Sequence, residues 1–265
     1  MGLEIDLKGR VALVTGMNHG IGSGIARILA KAGASVAGCD LVPASSESVR
    51  AFRQSVIDAG GRAFYCRADV TSSDDLRGFV DATVAEFGRL DIVVSNAGRN
   101  FFHGAAACDE TQWQECLDLN LASHWRLAKL CRPHLEATGR GVIVVMASNH
   151  AEATIPGCFP YNVAKTALVG LVRSLALEWG PAIRTVGIAP GYIATGGSDQ
   201  TWFKRASDPD SEIARTIRMH PVRRMGTVEE IGAWTAFLAS DYCAFASGQT
   251  YFVDGGRLAV LQDQP

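Results

Sequence analysis

Residues 11–22 read VALVTGMNHGIG, an apolar run that leads into a glycine-rich turn. The β-branched run Val11–Thr15 predicts a strand, and the amphipathic segment Ile21–Ala32 predicts a helix that ends at Gly33. Glycines between a strand and a helix let the main chain approach a pyrophosphate, which the free N–H groups of the helix N-terminus attract. The turn therefore predicts dinucleotide binding, with contacts from Gly16, Asn18, His19, Gly20 and Ile21.

The same alternation of apolar runs and amphipathic segments continues along the chain. Further strands are predicted at Ser35–Cys39, Ala63–Arg67, Leu90–Ser95, Val142–Ala147, Ile183–Ala189 and Thr250–Val253. Further helices are predicted at Ser45–Ala59, Ser73–Phe87, Asp109–Ala137, Pro160–Trp179 and Val228–Ser240. Continuous apolar strands that alternate with helices predict a three-layer, doubly wound α/β fold with a parallel sheet. Since no linker or repeat divides the 265 residues, we expect a single domain over residues 1–265.

Composition narrows the class of protein. A formal net charge of −2 provides no basic stripe for nucleic acid and no polybasic patch for a membrane surface. The longest apolar run, Val142–Ala147, is too short to span a bilayer, and the N-terminus MGLEIDLKGR lacks a secretory signal. Seven cysteines without a C-x-x-C pair predict reduced thiols and no metal site. We therefore expect a cytoplasmic protein that binds neither nucleic acid nor membrane.

Tyr161 and Lys165 stand four residues apart, so on a helix their side chains share a face. A free tyrosine has a pKa near ~10, and a neighbouring ammonium favours the phenolate. Two unit charges ~4 Å apart at an effective dielectric of ~20 interact by about 4 kcal/mol, enough for a shift of about two pKa units. We therefore expect Lys165 to lower the pKa of Tyr161 toward the range of general acid–base catalysis, with the Ser148 hydroxyl nearby. Because such pairs also occur by chance, the interpretation depends on the surrounding motifs.

Asp40 ends the second predicted strand, twenty-four residues after Gly16. An acid about twenty residues beyond a glycine turn accepts hydrogen bonds from the adenosine ribose hydroxyls. The residues that follow, Leu41-Val42-Pro43, provide no cation for a 2′-phosphate, and His19 is mostly neutral at pH ~7. The sequence therefore favours NAD over NADP, with Asp40 and Leu41 at the adenosine. The alternative is an Asp that only caps a loop.

Several short motifs occur in a fixed order over nearly the whole chain. They are Thr15–Gly22, Ser95-Asn96-Ala97-Gly98, Asn120, Ser148, Tyr161-x-x-x-Lys165 and Pro190-Gly191. Together they resemble the classical short-chain dehydrogenase/reductase family. The resemblance implies a Rossmann-like sheet of seven strands in the order 3-2-1-4-5-6-7, a variable substrate lid at 196–220, and a homotetramer. Ser95 stands where the family more often has Asn, and we expect it still to cap the turn.

The resemblance also implies roles for individual residues. Tyr161 would exchange the hydroxyl proton, Ser148 would hold the substrate oxygen, Lys165 would bind the nicotinamide ribose, and Asn120 would hold a water in a proton relay. An Asn bonded only to backbone is the alternative for Asn120. The further cofactor positions are Asp69 and Val70 at the adenine, Asn96, Ala97 and Gly98 at the adenosine ribose, and Pro190, Gly191, Ile193 and Thr195 at the nicotinamide, together with Tyr161 and Lys165.

Candidate substrate residues follow the catalytic positions. They are Arg99, Asn149, His150, Phe159, Tyr192 and Trp202. The polar members predict a small hydroxylated or anionic substrate such as a sugar, polyol or hydroxy acid. We therefore expect an NAD-dependent oxidoreductase that moves a hydride between nicotinamide and a secondary alcohol or ketone. The alternatives are a 3-oxoacyl-thioester ketoreductase, a nucleotide-binding scaffold or sensor, and an epimerase or dehydratase of the extended relatives, which are longer.

Overall fold

Seven parallel strands form the central sheet in the computed structural model, which describes residues 4–196, 203–204 and 206–260. The strands of the chain are β1 Val11–Thr15, β2 Ser35–Asp40, β3 Ala63–Arg67, β4 Ile92–Ser95, β5 Gly141–Met146, β6 Ile183–Pro190, β7 Ile193–Ala194, β8 Gly226–Thr227 and β9 Thr250–Val253. The order in the main sheet is β3-β2-β1-β4-β5-β6-β9. The predicted order 3-2-1-4-5-6-7 is confirmed. β7 and β8 form a separate two-stranded pair, so β9 is the seventh strand of the main sheet.

Helices cover both faces of the sheet. They are α1 Gly20–Lys31, α2 Glu47–Asp58, α3 Ser73–Phe87, α4 Glu110–Leu117, α5 Ser123–Glu136, α6 Tyr161–Trp179, α7 Pro209–Arg218 and α8 Val228–Ala239. Along β1, Ala12 and Val14 pack with α1, α2 and α8, whereas Val11 and Leu13 pack with α3, α5 and α6. Successive side chains of a strand face opposite layers, so a strand buried on both faces is apolar throughout. The three-layer prediction is confirmed.

The helix predicted over 109–137 is interrupted in the structure. Asp109 opens α4 through a capping box with Gln112, and a π-helical turn at Asp118–Ala122 separates α4 from α5. The amphipathic pattern continued through this turn, so the sequence predicted one uninterrupted helix, which is wrong at this point. π turns often occur at functional sites. This one contains Asn120, which is fully buried.

The carboxyl ends of β1, β2, β4, β5 and β6 lie along one edge of the sheet because these strands are parallel. Thr15, Asp40, Ser95, Met146 and Pro190 are the residues that end these strands. In doubly wound sheets, ligands bind in the crevice outside this edge. The motifs singled out in the sequence therefore meet in one cleft.

The predicted lid, 196–220, is described in part. Gly196, residues 203–204 and residues 206–220 are described, and the candidate substrate residue Trp202 lies outside the described residues. The described part includes α7, which Asp208 caps by accepting a hydrogen bond from the Ser211 N–H at 3.1 Å. One side of α7 faces the cleft, so this segment contributes to the site whether or not it moves.

Neither a membrane-spanning helix nor a metal cluster is found in the described ranges. Their helices are all too short or too polar to cross a bilayer. Within the same ranges, no three His, Cys, Asp or Glu side chains are placed to hold a metal ion.

Candidate active site

Asn96 and Thr15 join the first βα turn to the loop after β4. The Thr15 hydroxyl oxygen accepts hydrogen bonds from the N–H groups of Asn96 and Ala97, both at 3.0 Å. The Asn96 side chain donates to the carbonyl oxygens of Thr15 at 2.9 Å and Gly16 at 3.3 Å. Gly16 has φ +68°, and a Cβ there would lie 3.0 Å from the Ala97 Cα. The two loops therefore pack at a distance that only glycine permits.

The start of α1 fits a nucleotide phosphate. His19 is the N-cap residue of the helix, and its side chain makes no capping hydrogen bond to the N–H groups of the first turn. Asn18 Oδ1 is buried and has no hydrogen-bond partner among the described residues. Free N–H groups at a helix N-terminus attract anions, and the unsatisfied amide oxygen can accept a hydrogen bond from a ligand. The predicted positions Gly16, Asn18, His19, Gly20 and Ile21 thus lie together on one turn.

Ser95 differs from its expected role. Its hydroxyl lies 2.8 Å from Nδ1 of His124, a buried residue of α5, and no hydrogen bond from it to the turn is found in the described structure. Thr15 holds the turn instead. The expectation that Ser95 caps the turn is therefore wrong, because His124 provides a nearer partner from the helix behind β4.

Asp40 occupies the end of β2, as predicted for an adenosine-binding acid. Its carboxylate accepts hydrogen bonds from the Asn18 N–H at 3.2 Å and the Leu41 N–H at 2.7 Å. Arg67, the register partner of Asp40 on β3, donates from Nε to the Leu41 carbonyl oxygen at 2.9 Å. The residues next to Asp40 in the sequence include no cation, but the pairing of β2 with β3 brings Arg67 beside it. The expectation that no cation lies near Asp40 is therefore wrong.

Asp69 and Val70 follow β3 at the position predicted for adenine contacts. Asp69 Oδ1 accepts hydrogen bonds from the Thr71 N–H at 2.9 Å and the Thr71 hydroxyl at 2.7 Å. The Asp69 N–H donates to Asp75 at 2.9 Å, which ties the loop to the first turn of α3. Val70 is 8% exposed. The carboxylate orientation is thus fixed by the loop itself.

Tyr161 and Lys165 share one face of α6, where Lys165 is buried and Tyr161 is partly exposed at the cavity wall. Lys165 donates from Nζ to the Met146 carbonyl oxygen at 2.9 Å, and the same Nζ lies 5.7 Å from the centre of the Tyr161 ring. Burial raises the pKa of Tyr161 to about 12, and the Ser148 hydroxyl offsets part of this rise. Burial lowers the pKa of Lys165 to about 8. The expected lowering of the Tyr161 pKa by Lys165 is therefore wrong for the chain alone, because burial disfavours the phenolate, and the group that lowers the pKa is Ser148 and not Lys165.

Ser148 follows β5 and faces Tyr161. Its hydroxyl oxygen accepts a hydrogen bond from the His150 N–H at 3.2 Å, and the hydroxyl lies 3.4 Å from Asn149 Oδ1. The Ser148 side chain lowers the pKa of the Tyr161 phenol, and both residues line the same cavity. The hydroxyl groups of Ser148 and Tyr161 therefore lie within reach of a single substrate oxygen.

Asn120 is held by the main chain of Arg99. Asn120 Nδ2 donates to the Arg99 carbonyl oxygen at 3.0 Å, and Oδ1 accepts from the Arg99 N–H at 3.2 Å. A Cβ on Gly98 would lie 2.6 Å from Asn120 Oδ1 and 3.6 Å from Lys165 Nζ. The absence of a Cβ on Gly98 therefore leaves the space that Asn120 Oδ1 occupies. The side-chain contacts correspond to the backbone-bonded alternative for Asn120, and its relay role stays a prediction.

A cavity of about 340 Å³ connects the candidate catalytic and nicotinamide positions. Ser148 and Tyr161 line it together with Ile21, Gly191, Ile193 and Thr195. Pro190 ends β6 just before this group, and a Cβ on Gly191 would lie 2.7 Å from the Asp254 Cα. A volume of this size is at the small end of the range for ligand pockets. The cavity therefore suits a small substrate beside a cofactor ring.

The substrate predictions divide into two groups. Asn149, His150 and Tyr192 line the cavity. Phe159 instead stacks on Trp113 with ring centres 5.3 Å apart. Arg99 lies over the Phe101 ring at 4.1 Å and pairs with Glu115 at 3.4 Å. Arg99 and Phe159 are absent from the described cavity wall and are used in local packing on the α4 side. Their role as substrate contacts stays a prediction.

The other wall residues come from stretches that were expected to contribute and from stretches that were not. The first group is Asn100 and Phe102, after the Asn96-Ala97-Gly98 turn, and Glu212, Arg215, Thr216, Met219 and His220, in the predicted lid. The second group is Ala153, Thr154, Ile155, Arg257, Leu258 and Val260. Arg257 is distant in sequence from the other motifs. It reaches the cavity because β9 pairs with β6 and leaves the sheet beside Gly191. The long-range pairing, and not a local pattern, determines its place.

Comparison with known proteins places this arrangement in a family. Residues 16–257 match a family model described as enoyl-(acyl carrier protein) reductase. The 7alpha-hydroxysteroid dehydrogenase of Escherichia coli K12 is 34% identical over 97% of this chain and 98% of its own. The cis-4-hydroxycyclohexanecarboxylate dehydrogenase of Sinomonas cyclohexanicum is 34% identical over 95% and 97%.

A solved structure shows the same likeness. A protein from Agrobacterium tumefaciens, provisionally described as a gluconate dehydrogenase, is 31% identical and superposes with a TM-score of 0.89. The match covers 98% of this chain and 100% of that protein. The chain therefore belongs to the short-chain dehydrogenase/reductase family, and it is an oxidoreductase of CH–OH groups that uses a nicotinamide cofactor.

Proposed function

We propose that this protein is an NAD-dependent dehydrogenase that interconverts a secondary alcohol and a ketone on a small hydroxylated substrate. The observation that carries the proposal is the shared cavity: Ser148 and Tyr161 line it together with Ile21, Gly191 and Thr195. The bound nicotinamide would supply the hydride acceptor or donor. The chain's own groups hold the substrate oxygen and exchange its proton.

Each catalytic side chain has a distinct task in this proposal. Tyr161 gives its proton to the carbonyl oxygen during reduction and takes the hydroxyl proton during oxidation. The Ser148 hydroxyl holds the same oxygen, since Ser148 and Tyr161 line one cavity. Lys165 provides a buried ammonium between Met146 and Gly98, where it can bind the nicotinamide ribose. Asn120 keeps the Gly98 turn against Lys165 and would hold the relay water.

Asp40 supports the choice of NAD. Its carboxylate lies at the end of β2 beside the first glycine turn, where a 2′-phosphate would meet a negative charge. Arg67 is close enough to contribute a positive charge, but its Nε is bonded to the Leu41 carbonyl oxygen. The carboxylate therefore decides the preference as long as it is present.

A homotetramer is part of the proposal. Large apolar side chains are exposed on the helices and the edge strand through which the family's tetramers assemble. They are Trp125 on α5, Leu177 on α6, Trp234 on α8 and Phe252 on β9. Exposed apolar side chains of this size often mark association surfaces. Light scattering coupled to size-exclusion chromatography tests the assembly, and a monomer at micromolar concentration would contradict it.

One activity screen tests the proposed function. Sugars, polyols, hydroxy acids and simple secondary alcohols are incubated with NAD or NADP, and the absorbance of the reduced nicotinamide is followed. Turnover of a secondary alcohol with NAD is the expected result. Cofactor binding without turnover of any compound would favour the scaffold alternative. The family model's description names an acyl carrier protein, so a 3-oxobutyryl thioester is included, and its selective reduction would favour the ketoreductase alternative.

A further inference from the structure

The cavity wall contains one described guanidinium without a protein partner, that of Arg257. Of the ion pairs and side-chain hydrogen bonds between described residues, none involves its side chain. Arg215, the other arginine of the described wall, forms two hydrogen bonds with Glu212, at 2.6 and 2.8 Å. Arg215 and Glu212 therefore offset each other's charge. The positive charge that remains toward the cavity belongs to Arg257.

The histidines of the cavity do not provide a second fixed cation. His220 Nδ1 lies 2.7 Å from the Thr216 carbonyl oxygen, and His220 Nε2 accepts a hydrogen bond from the Tyr192 N–H at 3.4 Å. Both ring nitrogens are thereby used within the protein. Burial, and then the charge of Arg257, lower the pKa of His150. His150 is therefore neutral near pH ~7, and it lines the same cavity as Arg257.

The position of Arg257 is built into the fold. The Asp254 carboxylate accepts hydrogen bonds from the Gly256 N–H at 3.0 Å and the Leu258 N–H at 2.9 Å. The Arg257 N–H donates to the Asp254 carbonyl oxygen at 3.1 Å. This turn packs on Gly191, where a Cβ would lie 2.7 Å from the Asp254 Cα. The guanidinium is thus carried by a turn braced against the predicted nicotinamide loop.

Apolar side chains form part of the wall around this charge. Phe102, Ile155, Met219, Leu258 and Val260 contribute hydrocarbon surface. A guanidinium presents donors in a planar fork that matches a carboxylate. An unpaired arginine at a cavity wall is stabilised when a ligand brings the opposite charge.

We propose that Arg257 binds the carboxylate of the substrate, which is a hydroxy acid, or the matching keto acid, with an apolar carbon skeleton. This inference rests on the proposed function, which places the reacting hydroxyl at Ser148 and Tyr161. It narrows the substrate class, because neutral sugars and polyols would leave the guanidinium without a partner. Arg257 is then a substrate-binding residue that determines specificity.

Binding and turnover are measured separately so that the two proposals can fail separately. Cyclohexanecarboxylate, which lacks the hydroxyl, is compared with cyclohexanecarboxamide by calorimetry on the cofactor-loaded protein. We expect the acid to bind about 10- to 100-fold more tightly, as for a charge-assisted hydrogen bond. The 2-, 3- and 4-hydroxycyclohexanecarboxylates and their amides are then assayed for oxidation, with gluconate as the polyhydroxylated comparison. We expect kcat/KM to favour an acid over its amide by a similar factor.

Variants of Arg257 identify the anchor. Arg257→Gln should bring the acid-to-amide ratio toward one in both measurements, and Arg257→Lys, which keeps the charge without the fork, should give an intermediate ratio. Arg77→Gln removes an exposed charge from the outer face of α3 and is the matched control, with an unchanged ratio. Equal binding of acid and amide by the wild type would overturn the inference, and so would a ratio that survives Arg257→Gln. Selective acid binding without turnover of any compound would support the carboxylate site and contradict the proposed function.

Discussion

Lys165 donates a hydrogen bond from its ammonium to the carbonyl oxygen of Met146 at 2.9 Å, at the end of β5. This bond ties the one charge nearest the candidate phenol to the edge of the sheet. Lys165 has its pKa lowered to about 8, and Tyr161 has its pKa raised to about 12, in both cases because burial disfavours the charged form. In the chain alone, the phenol is protonated at neutral pH and is ready to act as an acid.

The two reaction directions should therefore differ in their response to pH. Oxidation uses Tyr161 as a base, and below its pKa the phenolate fraction rises about tenfold per pH unit. Reduction uses the protonated phenol, whose fraction stays near one throughout this range. We expect kcat/KM for alcohol oxidation to rise between about pH 7 and 10, and kcat/KM for ketone reduction to show no such rise. A flat oxidation profile over that range would contradict Tyr161 as the base.

Tyr161→Phe should separate catalysis from cofactor binding. Loss of a general acid–base typically lowers the rate by about 10²- to 10⁴-fold, whereas the ring and its packing are kept. We expect kcat to fall by that factor and the dissociation constant for NAD, measured by fluorescence titration, to change less than about threefold. Tyr242→Phe, at a tyrosine that is 56% exposed, is the control. Residual activity above about a hundredth of wild type would remove Tyr161 from the assigned role.

Asp40→Ala should shift cofactor preference toward NADP without a second substitution. Removing the carboxylate leaves Arg67, which is the register partner of Asp40, as the nearest described charge to the Leu41 main chain. A charge-assisted hydrogen bond to the 2′-phosphate contributes about 1.5–3 kcal/mol, so kcat/KM for NADP should rise about tenfold or more. The double variant with Arg67→Gln should lose this gain. Equal kcat/KM for both cofactors in the wild type would contradict the role of Asp40.

Much of the fold followed from local pattern. A continuous apolar run such as Val142–Ala147 is typical of a strand covered on both sides, and the alternation of such runs with amphipathic helices predicts a parallel sheet between two helical layers. The glycine turn after β1 fixed the edge of the sheet at which a ligand binds. Gly16, Ser148 and Tyr161 lie at that edge as expected, since each follows or faces a strand end.

What could not be predicted depends on contacts between distant segments. Arg257 reaches the cavity only because β9 pairs with β6, and Arg67 meets Asp40 only because β3 pairs with β2. The raised pKa of Tyr161 reflects burial, which a four-residue spacing does not reveal. Phe159 was expected at the substrate by its position in the sequence, but the ring of Trp113 provides an apolar surface on which it stacks.

His124 should make the protein less stable in acid. Its imidazole is buried beside Ser95, and burial, then the charge of Lys165, hold its pKa well below the ordinary value. The folded state therefore keeps His124 neutral while the unfolded chain binds a proton below pH ~6.5. Because the unfolded state then holds more protons, stability is lost as the pH falls below ~6.5, at up to about 1.4 kcal/mol per pH unit.

His124→Leu removes that titration. The free energy of unfolding, measured in urea between about pH 7 and 5, should depend less steeply on pH in this variant than in the wild type. The pH slopes of the two proteins are compared, and not their absolute stabilities. The substitution leaves the Ser95 hydroxyl without its partner, which by itself lowers the free energy of unfolding by about 1–3 kcal/mol. His134→Leu, on the same helix, is the control. Identical slopes for wild type and His124→Leu would show that His124 has the same pKa in the folded and unfolded states.

Gly98→Ala tests the close approach of the Gly98 turn to Asn120. The added methyl group would lie 2.6 Å from Asn120 Oδ1, so either Asn120 or the turn must shift, whereas Lys165 Nζ at 3.6 Å would be in ordinary van der Waals contact. Misplacement of a catalytic group by about 1 Å can lower the rate by about 10²-fold. We expect a loss of that size in kcat together with lower stability.

Gly78→Ala is the matched control, because an added Cβ on this exposed α3 residue meets no atom within 4 Å. It should raise the free energy of unfolding by about 0.5–1 kcal/mol through helix propensity. If Gly98→Ala kept full activity, the position of Asn120 against the Gly98 turn would have no part in catalysis.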